Sequence, residues 1–133
     1  MRHLTVHIVL AWAAAATVPG LAAATPALAP VTSSAAAVTV KVTPRALGAT
    51  WDFEVVFDTH SQDLTDDLLK TAVLVGPDGS EVRPVEWKGA APGGHHRTGV
   101  LRFAAPNPVP TAVVLRITRQ GEPKPRVFQW KLP

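Results

Sequence analysis

The segment from Trp51 to Asp58 alternates large apolar residues with acidic ones, and this alternation constrains the fold more than any other feature of the chain. Its two faces are Trp51, Phe53, Val55 and Phe57 on one side and Asp52, Glu54 and Asp58 on the other. Because successive side chains of a β-strand point to opposite faces, this period of two predicts a strand that is buried on one side. One buried and one solvated face are typical of antiparallel sheets.

Six further segments repeat this period or contain a short apolar run. They are Val38–Val42 and residues 71–76, 80–87, 98–104, 111–119 and 126–132. The turn residues Pro77, Asp78 and Gly79 predict a hairpin over 71–87, and Pro84 indicates that its second arm is an edge or bulged strand. Seven short strands in roughly 100 residues predict an all-β fold, a seven-stranded antiparallel β-sandwich of the immunoglobulin-like or fibronectin-like type.

One segment between the second and third predicted strands is ambiguous. Residues 62–70 contain aspartates that suit a first helical turn and Lys70, which suits a last one. Ser61 is a suitable N-cap residue. The sequence is therefore compatible with either a short helix or a loop over 62–70.

The first 24 residues have the features of a secretory signal peptide. Arg2 precedes an apolar run from Ile8 to Val18, and small residues lead to a predicted cleavage site after Ala24. The apolar run is too short for a membrane span. The sequence therefore predicts an exported protein, periplasmic or extracellular, without a membrane span.

The chain that remains after cleavage is long enough for one domain with a single core. Residues 25–37 are rich in Ala, Pro, Ser and Thr without a period, which predicts a flexible N-terminus. Residues 38–133 are predicted to form the single domain. The chain has no cysteine, which excludes disulfides and thiolate metal ligands. Its basic residues are scattered, so a nucleic-acid partner is not predicted.

The chain places its candidate ligands near the ends of predicted strands. They are His60, His95 and His96, with Asp58 in support. Loops that follow alternate strands of an antiparallel sandwich share one end of it, so the three histidines are expected together. Gly93 and Gly94 would let the chain bend so that both adjacent imidazoles reach one centre. Imidazole and carboxylate ligands without thiolate suit a single Cu(II) or Zn(II) ion.

The first functional hypothesis is therefore a small exported protein that binds a transition-metal ion through these loop residues. The alternative is a metal-independent interaction or adhesion module, which uses the same loops, rimmed by Arg97 and residues 120–124, to bind an envelope or extracellular protein. The histidine spacing matches no closed metal signature, so both hypotheses stay open.

A metal-assisted hydrolase is a third alternative. Residues 58–61, Asp-Thr-His-Ser, include the residue types of a catalytic triad, but neighbouring strand residues face opposite ways. The chain contains no nucleophile-elbow pattern and no general base with a recognisable positioning motif. The sequence therefore predicts a binding protein, not an enzyme.

Overall fold

The computed structural model describes residues 19–20 and 28–133, and within these ranges the chain is mostly antiparallel β-structure. The strands are β1 (Val31–Ala35), β2 (Val38–Leu47), β3 (Thr50–Thr59), β4 (Ala72–Val75), β5 (Glu81–Val82), β6 (Glu86–Gly89), β7 (His96–Ala104), β8 (Ala112–Ile117) and β9 (Arg126–Lys131). A single helix in these ranges, α1, covers Leu68–Thr71. Sheet A has the order β1-β2-β3-β7-β6, and sheet B has the order β5-β4-β8-β9. The prediction of an all-β fold is confirmed.

Inward-facing residues of the two sheets form one hydrophobic core. The apolar residues of β3 are fully buried, as their alternation predicts. Phe53 of sheet A has its ring centroid 5.8 Å from that of Phe103 and 5.7 Å from that of Trp130 in sheet B. Because aromatic side chains of the two sheets touch, the arrangement is β-sandwich-like.

The described ranges contain nine strands, whereas the sequence predicts seven. One extra strand arises because the predicted second arm of the hairpin, 80–87, divides at Pro84. Its first part, β5, pairs with β4 in sheet B, and its second part, β6, pairs with β7 in sheet A. Proline has no N–H to donate to a strand ladder, so the pairing is interrupted where the chain crosses between the sheets.

The other extra strand, β1, lies within the segment 25–37 that the sequence predicts to be flexible. It pairs with β2 in sheet A, and β9 of sheet B supplies further donors. Trp130 Nε1 donates to the carbonyl of Ala29 at 2.7 Å, and Arg126 Nη1 donates to the carbonyl of Ser33 at 2.8 Å. The order of this segment therefore depends on partners about ninety residues further along the chain, which its own composition does not indicate.

The ambiguous segment 62–70 is irregular as far as Asp67 and then forms the single turn α1. Leu64 explains why a longer helix does not form. Its N–H donates to the carbonyl of Gly94 at 3.0 Å, and its carbonyl accepts from the N–H of Gly93 at 2.8 Å. Backbone groups that bond to another loop are not available for a helical ladder.

The predicted signal peptide, residues 1–24, lies outside the described residues apart from Pro19 and Gly20. Within the described parts of the chain, none of the helical structure has the length and apolar character that a membrane crossing requires. Export stays a prediction from the sequence.

A pair of glycines makes room for a tryptophan at the edge of sheet A. Gly89 of β6 lies opposite Gly99 of β7. A Cβ added to Gly99 would lie 2.5 Å from Cζ2 of Trp87 and 2.7 Å from the Cα of Gly89. The indole Nε1 donates to the carbonyl of Ala90 at 3.1 Å, which holds the ring against the glycines. Gly99 is therefore required for packing.

Replacing Gly99 with alanine is expected to lower the free energy of unfolding by about 1 to 3 kcal/mol, because overpacking displaces the indole or the facing strand. Gly48→Ala is the matched control, since a Cβ there meets nothing within 4 Å. Denaturant unfolding of both variants measures the difference. Equal stability of Gly99→Ala and the wild type would contradict the packing role.

Candidate functional site

Three loops meet at one end of the protein. They are residues 60–67 after β3, 90–95 before β7 and 118–125 between β8 and β9, and we call them together the loop end. Two backbone bonds join the first two loops: the N–H of Gly93 donates to the carbonyl of Leu64 at 2.8 Å, and the N–H of Leu64 donates to the carbonyl of Gly94 at 3.0 Å. Arg119 Nε donates to Oδ1 of Asp66 at 3.0 Å, which joins the third loop to the first. The loops that the strand order predicts to share an end are thus in direct contact.

The glycine pair of the 90–95 loop docks that loop onto its neighbour. Gly93 and Gly94 have φ values of 122° and 76°, in the region that favours glycine. In this conformation the N–H of Gly94 donates to Oδ1 of Asp63 at 2.6 Å, while both glycines exchange backbone bonds with the buried Leu64. The bend in the chain therefore serves loop-to-loop contact.

Asp58 and His96 form a side-chain pair on the outer face of sheet A. They lie opposite each other in the β3–β7 ladder, and Nδ1 of His96 is hydrogen-bonded to Oδ1 of Asp58. Both side chains are exposed, that of His96 by 63% and that of Asp58 by 56%. A carboxylate on Nδ1 orients the ring and leaves Nε2 as the nitrogen available to a ligand or partner. Asp58 is therefore placed to orient the His96 ring and not to bind a metal ion itself.

The other two histidines lie beside the same pair of strands. His60 directly follows β3 and His95 directly precedes β7, and both are exposed. The N–H of Thr59 donates to the carbonyl of His95 at 2.9 Å, which continues the β3–β7 pairing by one step. The structure thus brings the backbones that carry the three histidines to one edge of the loop end.

Arg97 does not belong to this exposed surface. Its side chain faces inward, with 2% of the residue exposed, so the expectation that Arg97 rims a binding surface is wrong. The guanidinium donates to the carbonyls of Ala90, at 3.1 Å, and Asp66, at 2.5 Å, and lies 5.2 Å from the centroid of the Trp87 ring. Burial lowers the pKa of Arg97, and the nearby charges of Asp66 and Asp67 oppose this effect. Its role is to tie two loops together beneath the surface.

A chain of buried charged side chains, which we call the buried ion network, underlies the loop end. Its members are Asp66, Arg119, Glu122 and Arg126, and their side chains are at most 6% exposed. Arg119 donates to both carboxylate oxygens of Asp66, at 3.0 and 3.1 Å, and to Glu122 at 2.9 Å. Arg126 donates twice to Glu122, at 2.7 Å each. Two cations and two anions are thus joined by charge-assisted hydrogen bonds, most of which are bidentate.

The electrostatics of the buried ion network favour its charged form. Hydrogen bonding from Arg126, and also from Arg119, lowers the pKa of Glu122 although burial opposes the shift. Burial by itself would lower the pKa of Arg119, but the bonds to Asp66 and Glu122 raise it overall. Sequence reasoning missed this network. Its only local signal is the spacing of Arg119, Glu122 and Arg126, which does not reveal that they are buried.

The network also supports a strained turn between β1 and β2. Ala36 and Ala37 have φ values of 47° and 61°, a conformation that costs an alanine about 1 to 2 kcal/mol. The carbonyl of Ala36 accepts a hydrogen bond from the side-chain amide of Gln62 at 2.5 Å, and the carbonyl of Ala37 accepts one from the hydroxyl of Thr59 at 2.8 Å. Arg126 donates to the carbonyl just before the turn at 2.8 Å. These bonds offset the strain and fasten the β1–β2 turn to the loop end.

The structure brings together part of the site that the sequence predicts. Asp58 and His96 are paired and His60 and His95 lie near them, but within the described ranges no three His, Asp or Glu residues are grouped as a metal site requires. Comparison of the chain with protein-family models, curated proteins and solved structures finds no match. The geometry of the loop end is therefore the basis for a functional proposal.

Proposed function

We propose that this protein is a small exported binding module whose loop end recognises a protein partner of the cell envelope or extracellular space. The observation that carries the proposal is the buried ion network, which joins the 60–67 loop to the 118–125 loop. The backbone bonds of Leu64 join the 90–95 loop to them, and His60, His95 and His96 are exposed beside these loops. In some proteins buried ionic groups fix one conformation of the residues that they connect, and we assign this role to the network. Loops that are ordered before binding lose less conformational freedom on association, which favours recognition.

We further propose an immunoglobulin-like or fibronectin-like architecture for the module. The five-stranded and four-stranded antiparallel sheets around one core support this assignment. Loops at one end of such a sandwich are a common place for binding sites, because the sheets hold them rigidly. The signal-peptide features support the exported location.

Binding of Cu(II) or Zn(II) is the second candidate, and the Asp58–His96 pair is the observation that favours it. The carboxylate on Nδ1 would present Nε2 of His96 to a metal ion, as it does in many metal sites. His60 and His95 would have to supply the remaining ligands. Because the described residues contain no such cluster of three, metal binding ranks below the protein-partner proposal.

We propose binding in preference to catalysis. Among the described residues, the only side-chain hydrogen bond of His96 is to Asp58, so the pair activates no serine or threonine nucleophile there. An aspartate–histidine pair without a nucleophile or an oxyanion site lacks the parts of a hydrolase.

The deciding experiment attaches a photo-crosslinker in place of His95 of the protein recovered after export, with a crosslinker at Lys88 on sheet A as the control. We expect one envelope or extracellular protein to be captured from His95 and not from Lys88, in the presence of a chelator. The purified partner should then bind the triple variant His60→Ala, His95→Ala, His96→Ala at least about tenfold more weakly, a loss of about 1.4 kcal/mol. Unchanged affinity of the triple variant would refute the proposal.

A thermal melt with Cu(II) and Zn(II) separates the two candidates. A ligand at a hundred times its Kd stabilises the folded state by about 2.7 kcal/mol, and each kcal/mol raises the melting temperature of a domain this size by about 4 to 8 °C. A shift of this size with one metal, lost in the triple variant and without any crosslinked partner, would replace the interaction proposal with the metal-binding one.

A further inference from the structure

The outer faces of the two sheets differ in charge balance. On sheet A, cations and carboxylates pair across the strands. Arg45 donates to Glu54 at 2.7 Å, and Arg102 contacts Asp52 at 2.8 Å and Glu86 at 3.3 Å. Hydrogen bonding from Arg102 lowers the pKa of Asp52. The outer face of sheet A is therefore a charge-matched surface that needs no further partner.

The outer face of sheet B instead mixes valines with polar residues, because β4 and β8 carry consecutive apolar residues while Gln129 and Lys131 of β9 are exposed on the same face. Runs of this kind are typical of strands with both faces covered. The ladder aligns Val73, Arg116 and Val127 in one row and Val75, Val114 and Gln129 in the next. We call Val75, Val114 and Val127 the valine face, and Val73, which is 4% exposed, lies buried beside it. Val127 is 55% exposed, so at least part of the valine face is open to solvent.

A cationic hollow borders the valine face. Its volume is about 290 Å³, and it is lined by Lys70, Arg83 and Arg116 around Val73, with Glu81 as the single carboxylate. Arg116 is paired with Glu81, whereas Arg83 donates to the backbone carbonyl of Lys70 and has no carboxylate partner within the described part of the chain. Lys70 lies 3.3 Å from Asp67, in a pair whose side chains are 84% and 52% exposed. The hollow thus carries more positive than negative charge, and solvent-exposed pairs around it contribute little.

We propose that the valine face and the cationic hollow together bind an extended acidic segment of a protein partner. A carboxylate of the partner would enter the hollow and pair with the guanidinium groups of Arg83 and Arg116. Arg116 and Val114 are two residues apart on β8, about 7 Å along the strand. In a partner segment of extended conformation, an acidic residue and an apolar residue two positions later are the same distance apart and face the same side. The apolar side chain of the partner would then pack on Val114 and Val127.

Two features favour a protein segment over a lipid surface. The exposed large apolar residues among those described are Leu69, Val85, Val109 and Val127, and none of them is aromatic. Membrane-surface elements usually insert several Trp, Phe or Leu side chains together with many cations, whereas Leu69 is the single leucine among these four residues. A flat face of β-branched residues is instead suited to packing against another strand. This inference concerns a different surface from the loop end and does not depend on the function proposed for it.

The test measures binding of a fluorescent synthetic peptide with the repeat Glu-Ser-Val-Ser, which places glutamate and valine on the same face of an extended chain, and the repeat Gln-Ser-Val-Ser is the reference. We expect the protein to bind the glutamate peptide in a salt-dependent manner, and to bind the glutamine peptide at least about tenfold more weakly. The double variant Arg83→Gln, Arg116→Gln and the single variant Val127→Ser should each weaken binding of the glutamate peptide. The double variant Arg45→Gln, Lys88→Gln removes two cations from sheet A and should bind like the wild type.

Three results would overturn the inference. The first is no measurable binding of the glutamate peptide, and the second is equal binding by the sheet A and sheet B double variants. The third concerns vesicles of anionic lipid: the wild type binds them with higher affinity than the glutamate peptide, and the sheet B double variant no longer binds them. Circular dichroism and melting of each variant establish that the exposed substitutions leave the fold intact.

Discussion

Replacing Glu122 with glutamine is expected to lower the free energy of unfolding by about 3 to 5 kcal/mol, because it leaves a buried arginine without its counter-charge. Glu122 is the centre of the buried ion network and accepts hydrogen bonds from both Arg119 and Arg126. Arg119 would keep the carboxylate of Asp66, but Arg126 would keep only neutral acceptors, including the carbonyl of Val38 at 3.1 Å. For a domain of this size, thermal unfolding should show a fall of about 4 to 8 °C per kcal/mol.

The pH dependence of stability provides a second readout of the same variant. Since the pKa of Glu122 is held below its usual value of 4.5, its charged form stabilises the wild type above that pH. This stability is lost as the pH falls through the lowered pKa. The Glu122→Gln variant has no such group, so its stability should change less in this acid range than that of the wild type.

The matched control is Arg45→Gln, which breaks an ion pair of similar length whose side chains are 54% and 30% exposed. Exposed pairs contribute about 0 to 1 kcal/mol, so this control should be close to the wild type. If Glu122→Gln were no more destabilising than Arg45→Gln, the buried ion network would not be what stabilises the contact between the 60–67 and 118–125 loops.

Replacing Phe53 with alanine is expected to destabilise the protein by a similar amount, about 3 to 5 kcal/mol. Phe53 is completely buried and touches the ring of Phe103 within sheet A and that of Trp130 in sheet B. Removing the ring forfeits its transfer free energy and leaves a cavity between two sheets that cannot collapse onto it without distorting both ladders. Denaturant unfolding at constant pH measures the loss.

Phe53→Leu is the companion variant, because it keeps most of the apolar volume and should be less destabilising than the alanine variant. Glu54→Ala, one position along the same strand on the outer face, tests whether the effect depends on the inward orientation. A loss for Glu54→Ala as large as that for Phe53→Ala would contradict the assignment of faces on β3.

The strands were predictable where the apolar pattern is local. The alternation around Phe53 and Phe57 predicted both β3 and the side of it that is buried. The sequence does not predict the structure correctly where backbone hydrogen bonds connect segments that are far apart in the chain. Leu64 sits in a sequence compatible with a helix, yet its N–H and carbonyl bond to Gly94 and Gly93, about thirty residues away. The residues that surround Leu64 in the sequence do not indicate these two bonds.

The candidate site was predictable only in part, for the same reason. That His60, His95 and His96 belong to the same end follows from the order of the strands, but their side-chain partners follow from the ladder register. Asp58 meets His96 because the two are opposite each other in the β3–β7 pairing. A shift of one residue would turn His96 to the inner face, where Arg97 now lies, so the pairing depends on how the whole sheet packs.

The sequence by itself determined the all-β class, the inward face of β3 and the residue types at the loop end, because strand periodicity and turn residues act over a few neighbouring positions. The tertiary structure alone decided that Arg97, Arg119 and Arg126 are buried, that β1 is ordered and that the chain crosses between the sheets at Pro84. These outcomes depend on bonds between segments far apart in the chain. Burial of a charge is favourable only when a counter-charge or carbonyl groups meet it, and only the folded chain brings such partners together.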